Sequence, residues 1–283
     1  MRIFLLFIML ICSIEAKSLF TNHKQKDNSI YIGALKDLMI ATQKTRGLTN
    51  SFLNGNASAI ILVYNNRDDM KKAIGEMEAL SVAEDVVVNN RATAISQALI
   101  RLNTKAFDME PTKAFSDYTE QIGQILMLAQ TVNRRFEKDL NPFGKDVSGI
   151  MMEIMLPLTE YVGQMRGFGA GLAAKGSVSE KELNKINILS NQIKKLNEKL
   201  QQKMIQLISE YSSKLPQGIE NEILEIHNAV EDYTSFAENK FKNDIESVEP
   251  NNYFDDGTKL ISLIIKAYNS NNKALLKDSE GWI

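Results

Sequence analysis

Cysteine and proline are scarce in this chain of 283 residues, which contains one cysteine and five prolines. The single cysteine, Cys12, excludes an internal disulfide, a haem-attachment motif and a cysteine metal site. Glycine-rich phosphate loops and the HExxH zinc motif are also missing, and the two histidines, His23 and His227, lie far apart. The sequence therefore predicts no enzyme activity, no cofactor and no metal site.

Long apolar runs are also absent, apart from a short one at the N-terminus. The chain begins with one basic residue, Arg2, followed by an apolar run from Ile3 to Cys12 and the small residue Ala16. This order is typical of a secretory signal peptide, and the run is too short to span a bilayer. We therefore expect residues 1–16 to be cleaved and the mature chain to be periplasmic, with no membrane span.

Cys12 leaves lipidation open as an alternative, because it ends the apolar run. Lipoprotein processing requires a small residue just before the cysteine, and the bulky Ile11 stands there instead, which favours simple cleavage. The formal net charge of -2 indicates neither a nucleic-acid partner nor an anionic membrane surface.

Long helices are predicted because helix breakers are few and Leu, Ile, Ala, Lys, Glu and Gln are abundant. The clearest helix opens with a capping box at Ser177 or Ser179 and carries an apolar seam on one face. The seam consists of Ile186, Leu189, Ile193, Leu196, Leu200 and Leu207. In all, helices are predicted over 28–54, 57–81, 83–106, 111–139, 146–175, 179–213, 217–246 and 251–276. The predicted fold is all-α, an elongated helical bundle of about eight helices in two repeated four-helix units.

An internal repeat supports this division. The segment Lys44-Thr45-Arg46-Gly47-Leu48 recurs 120 residues later as Gln164-Met165-Arg166-Gly167-Phe168. A second set, Glu110-Pro111 with Phe115, Asp117 and Thr119, recurs 139 residues later as Glu249-Pro250 with Phe254, Asp256 and Thr258. The mature domain, 17–283, would then contain repeats over about 28–140 and 146–276, joined near Asn141-Pro142.

The two repeated arginines, Arg46 and Arg166, are predicted to project from the apolar or small-residue face of their helices. Neither has an acidic residue three or four positions away, so a neutralising charge must come from another helix or from a ligand. At an effective dielectric constant of about 20, two such charges about 6 Å apart repel by roughly 3 kcal/mol, whereas a shared anion about 4 Å from each attracts each by roughly 4 kcal/mol. Guanidinium groups match planar oxyanions such as nitrate and nitrite.

Glycines concentrate beside the second arginine, which indicates either room for a small ligand or a tight helix crossing. The predicted ligand-binding residues are Arg46, Arg166, Thr49, Gly167 and Gly169. This interpretation requires the two arginines to meet without a protein carboxylate between them.

Four segments together resemble the nitrate- and nitrite-sensing (NIT) domain family. They are Gln43–Leu48 and Leu158–Gly167, which contain the two arginines, the Tyr118-Thr119 pair, and Tyr253–Thr258. The resemblance implies an all-helical module whose arginines, on different helices, clamp nitrate or nitrite. Family members are usually attached to a kinase, chemoreceptor or RNA-binding output domain. No such domain is recognised in this sequence, so the resemblance points to a stand-alone exported sensor that acts on a partner, such as a membrane histidine kinase of a two-component system or a chemoreceptor. No arginine follows Arg166, and the resemblance therefore carries over Arg46 and Arg166 alone.

Two other interpretations stay open at this point. The arginines could be structural, each paired with a carboxylate from a facing helix. Alternatively, the chain could be a periplasmic adaptor or scaffold without a ligand, holding a partner helix along the seam from Ile186 to Leu207, although such a seam is more often internal core. The sequence leaves a monomer and a homodimer both open.

Overall fold

A computed structural model describes residues 22–53, 57 and 59–280 of the chain, and these residues form helices and short connections without a β-strand. The signal peptide predicted over 1–16 lies outside the described residues. The first half contains α1 (His23–Leu53), α2 (Ala59–Glu78), α3 (Val86–Lys105) and α4 (Pro111–Phe136). The second half contains α5 (Pro142–Ile150), α6 (Leu156–Lys175), α7 (Glu180–Tyr211), α8 (Ile219–Asn243) and α9 (Pro250–Ser279).

The all-α prediction is confirmed, and each of the eight predicted segments corresponds to a helical segment of the structure. The capping box is formed by Ser179 and Glu182, which satisfy each other's backbone amides at the start of α7. Prolines open α4, α5 and α9, where a missing amide hydrogen costs nothing because the first helical amides have no partner within the helix. Asn141 caps α5 by accepting from the Gly144 amide, at the predicted joint between the repeats.

One feature of the fifth segment was not predicted. A single π-helical stretch, Met151–Met155, joins α5 to α6 within one continuous helix. Pro157 follows one residue after this stretch, and it has no amide hydrogen to give to the carbonyl four residues earlier, so the chain passes this point in a wider turn. Glu160 lies one turn beyond this stretch.

A single large hydrophobic core runs through both halves and contains residues of each of the nine helices in the described part of the chain. In the first half α1 packs against α2 and α4, and in the second half α6 packs against α7 and α9. Contacts between α1 and α9 join the two halves.

The apolar seam of α7 belongs to this core. Ile186, Ile193 and Leu200 are fully buried, and α7 packs against α6 and α8. The interpretation of the seam as a docking face for a partner helix is therefore wrong, because its side chains already fill the interior of the protein.

Candidate functional site

The repeated landmarks of the sequence meet in space, once in each half. In the first half, Arg46 of α1 places its guanidinium carbon 4.8 Å from the centre of the Phe115 ring of α4. Its Nη1 atom donates to the Thr119 hydroxyl oxygen at 2.9 Å. That hydroxyl in turn donates to the Phe115 carbonyl at 2.8 Å, within the same helix.

The second half repeats this arrangement. Arg166 of α6 lies 4.4 Å from the centre of the Phe254 ring of α9 and donates from Nη1 to Thr258 at 2.9 Å. The Thr258 hydroxyl donates to the Phe254 carbonyl at 2.9 Å. Each half therefore builds the same arginine–phenylalanine–threonine unit, here called a half-site, from two packed helices.

The two half-sites differ in what neutralises the arginine. Arg46 forms a bidentate ion pair with Glu160 of α6, with 2.7 Å from Nη1 to Oε1 and 3.3 Å from Nη2 to Oε2. The amides of Gln43 and Gln164 each donate to the same carboxylate at 2.8 Å. Both charged side chains are buried, with exposed fractions of 2% for Arg46 and 5% for Glu160.

This ion pair corrects the expectation that Arg46 faces no protein acid. The carboxylate comes from the other repeat and lies six residues before Arg166 in sequence, so it is outside the range of a search within one helix. For Arg46 the structural interpretation, an arginine paired with a facing helix, is the one that the structure confirms.

Arg166 lacks such a partner. It is buried, with an exposed fraction of 8%, and no carboxylate of the described residues lies within 4.0 Å of its guanidinium. Its Nε atom is fully buried and has no hydrogen-bond acceptor. Burial is the main reason that the pKa of Arg166 falls to about 10, and the nearby charge of Arg46 lowers this pKa further, while Glu160 raises it. The guanidinium therefore stays charged at neutral pH without a counter-charge in contact.

A cavity of about 670 Å³ opens beside Arg166 between α1, α8 and α9. Thr258 and Gln43 line it, so it combines the hydroxyl of the second half-site with an amide that also contacts the Glu160 carboxylate. The charged side chains of its lining are Lys44, Arg166, Glu222, Lys266 and Lys273. Lys266 lies 3.6 Å from Glu222 and 3.7 Å from Glu225, so these acids offset its charge. Lys44, Arg166 and Lys273 remain, and the cavity is therefore electropositive and suited to a small anion.

Gly257 explains how α9 comes close enough for Thr258 to reach Arg166. A Cβ atom at this position would lie 2.9 Å from Cβ and Cγ of Arg166 and 2.7 Å from the Tyr233 hydroxyl. Any larger residue would separate the two helices, because contacts of this length are strongly repulsive. Sequence reasoning missed Gly257, although it stands directly before a repeated threonine.

The other predicted ligand residues lie in packing positions. A Cβ at Gly167 would meet the Phe115 ring at 3.2 Å, and one at Gly169 would overlap the Tyr253 ring. Thr49 is fully buried near Tyr118, and its hydroxyl makes no hydrogen bond to either arginine. Of the two explanations offered for the glycines, these two positions show the tight helix crossing.

No group of three or more potential metal ligands occurs in the part of the chain that the structure describes. No described helix is both long and apolar enough to cross a membrane.

Comparison with known proteins adds a family. Residues 37–274 match the family model described as nitrate and nitrite sensing (NIT). The fold is similar to a solved structure titled "Structure of the NasR transcription antiterminator", with a TM-score of 0.65 and 14% sequence identity. That similarity covers 96% of this chain and 74% of the other and supports the helical fold. No curated protein matches the sequence significantly.

Proposed function

We propose that this chain, which belongs to the nitrate- and nitrite-sensing (NIT) family, is an extracytoplasmic sensor that binds nitrate or nitrite at Arg166 and signals to a partner protein. The observation that carries the proposal is a buried guanidinium that no carboxylate of the described residues contacts, placed at the wall of an electropositive cavity. Family membership supplies the class of ligand.

The chemistry of Arg166 suits a planar oxyanion. A guanidinium offers parallel N–H donors, and Nη1 is already committed to Thr258, which leaves Nη2 to address the cavity. The Gln43 amide and the Lys44 ammonium group lie on the same wall and supply further donors. A bound monovalent anion would return a counter-charge to Arg166 and offset part of the cost of its burial.

Arg46 contributes to this site through charge and position and not as a free ligand donor, because Glu160 occupies its two outer nitrogens. The roles first predicted for Thr49, Gly167 and Gly169 become supporting ones. The two glycines, both on α6, let that helix approach Phe115 and Tyr253 closely, and Thr49 belongs to the packed interior beside Tyr118.

Thermal unfolding with added salts tests the ligand. An anion that binds only the native state at a hundredfold excess over Kd stabilises by about 2.7 kcal/mol. Nitrate or nitrite should therefore raise the Tm of the mature protein where equal chloride does not. Arg166→Met should abolish this shift, and the exposed Arg91→Met is the matched control that should retain it.

Two results would count against this site. If neither ion stabilises the wild type more than chloride does, the chain does not sense them. If Arg166→Met keeps the full nitrate shift, the anion binds elsewhere. Calorimetric titration with nitrate, nitrite, sulfate and chloride then ranks the ligands.

We also propose that the chain is exported and that it signals through a partner protein. The N-terminal sequence supports secretion, and a sensor outside the cytoplasm needs a membrane protein, such as a histidine kinase or chemoreceptor, to transmit its state. Reconstitution of a candidate kinase with the mature protein tests this: autophosphorylation should change with nitrate in the presence of wild type and not of Arg166→Met.

A further inference from the structure

The repeat makes one asymmetry visible. At the offset of 120 residues that relates Arg46 to Arg166, Glu160 corresponds to Ile40. Glu160 forms an ion pair with Arg46 of the other half, whereas Ile40 and Arg166 line the same cavity. The first half-site therefore holds a carboxylate at the position where the second has an apolar side chain and open space.

A carboxylate and a nitrate ion resemble each other as ligands. Both are planar, carry one negative charge and present two oxygens that accept parallel N–H bonds from a guanidinium. The Glu160 carboxylate uses both oxygens on Arg46 and accepts from two glutamine amides, which is the coordination expected of a bound oxyanion.

We propose that Glu160 is a tethered mimic of the ligand, which keeps the Arg46 half-site permanently filled and limits the chain to one external anion. A second part of the proposal rests on the function proposed above: the negative charge of Glu160 also weakens the binding of an anion at Arg166. Glu160 thus sets both the number of anions bound and the affinity for the one that binds.

The tether explains why an external ion does not displace this carboxylate. A free anion loses translational and rotational freedom when it binds, whereas Glu160 is already held in place by α6. Removing the carboxylate would leave the buried Arg46 without a counter-charge and beside a space of the size of a small carboxylic acid. Such a space is a latent anion site, which the Glu160 carboxylate fills in the wild-type protein.

Chemical rescue tests the first part. Glu160→Ala is made in the Arg166→Met background, so that an anion can act only at Arg46, and Tm is measured in formate, acetate or nitrate against chloride at equal ionic strength. We expect a lowered Tm that the planar oxyanions restore by several degrees more than chloride does. Glu160→Gln in the same background removes the charge without opening space, and the oxyanions should not rescue it. Glu153→Ala, whose carboxylate contacts Asn133 and no arginine, is a matched control that should show no rescue.

The rescue would overturn the proposal if Glu160→Ala gained no more from formate than from chloride, or if Glu160→Gln gained as much. If Glu160→Ala fails to fold in chloride, recovery of the helical signal in formate is the same test, and failure in both salts counts against the latent site.

The second part is tested with Arg166 intact. Removing the unit charge of Glu160, which acts on Arg166 through space, should tighten nitrate binding to Glu160→Gln by roughly three- to tenfold. Unchanged or weaker binding would overturn the influence of Glu160 on affinity. The formate rescue does not depend on Arg166, so it can succeed even if the wild type binds no nitrate, and the two proposals fail separately.

Discussion

Replacing the two repeated arginines one at a time should have unequal consequences for stability. Arg46→Met removes the partner of Glu160 and leaves a carboxylate with 5% exposure facing two neutral amides. Breaking a buried ion pair in this way typically costs about 3 to 5 kcal/mol, because the remaining charge has lost both its hydration and its partner. The free energy of unfolding should therefore fall by about that amount.

Arg166→Met removes a charge that the fold already disfavours. Burial lowers the pKa of Arg166 from its ordinary value to about 10, and at about 1.4 kcal/mol per pKa unit this shift is a cost of roughly 3 kcal/mol. A depressed pKa on a cation means that the charged form is less favourable in the folded than in the unfolded state throughout the pH range below 10. Against this relief stand the lost contact with Phe254 and the lost hydrogen bond to Thr258, together about 1 to 3 kcal/mol. The net change should lie within about 2 kcal/mol of zero by these two estimates.

Urea unfolding at pH 7 in nitrate-free buffer measures both variants, with Arg91→Met as the exposed control. A large loss for Arg46→Met beside a small change for Arg166→Met would support an unneutralised Arg166. Equal large losses for both would refute the reasoning, because Arg166 would then also be held by a protein partner and the cavity would have no free charge to offer an anion.

Four shorter predictions concern other residues. Ile40→Glu should give Arg166 a carboxylate, raise the unfolding free energy and abolish nitrate stabilisation; a retained nitrate shift would contradict the equivalence of positions 40 and 160. Gly169→Ala should destabilise the protein because its methyl group overlaps the Tyr253 ring, whereas Gly171→Ala, with open space, should be neutral or stabilising by up to about 1 kcal/mol in thermal melts. Burial raises the pKa of Asp278, but hydrogen bonds from Lys214, Asn141 and Gln25 outweigh burial and keep this pKa below its usual range. Asp278→Asn should therefore lower the unfolding free energy at neutral pH. The wild type should lose stability as pH falls through the pKa of Asp278, and the variant should show a smaller loss over that pH range. Mass spectrometry of the exported protein should find a mature N-terminus at or near Lys17, and an intact Met1 in the periplasm would contradict cleavage.

The helices could be predicted because their signals are local. The Ser179 and Glu182 box, the prolines at Pro111, Pro142 and Pro250, and the apolar period of α7 all act within one or two turns. The repeat added a longer-range prediction. It aligned Arg46 with Arg166 and Thr119 with Thr258, but it did not predict that each arginine contacts the threonine of its own half. The structure shows both contacts.

The neutralisation of Arg46 could not be read from local spacing. Glu160 lies 114 residues from its partner, and only the packing of α1 against α6 brings the two together. A signal was nevertheless present in the repeat, since the offset that relates the arginines places an acid at position 160 opposite an isoleucine at position 40. Charge differences between copies of a duplicated unit thus indicate where the copies have taken different roles, even when no single helix does.

The asymmetry also connects ligand binding to the contact between the two halves. Gln43 lies on α1, donates to Glu160 on α6 and lines the cavity of Arg166. An anion in that cavity would compete with Glu160 for this amide. Anion binding at the second half-site would therefore alter the hydrogen bonding of the ion pair in the first. A duplicated bundle with two free arginines would bind two anions independently. With one filled and one empty half-site, a bound anion instead changes the contacts between α1 and α6. The ion pair between Arg46 and Glu160 is then a permanent contact between α1 and α6, and the external anion acts on the side chains around it.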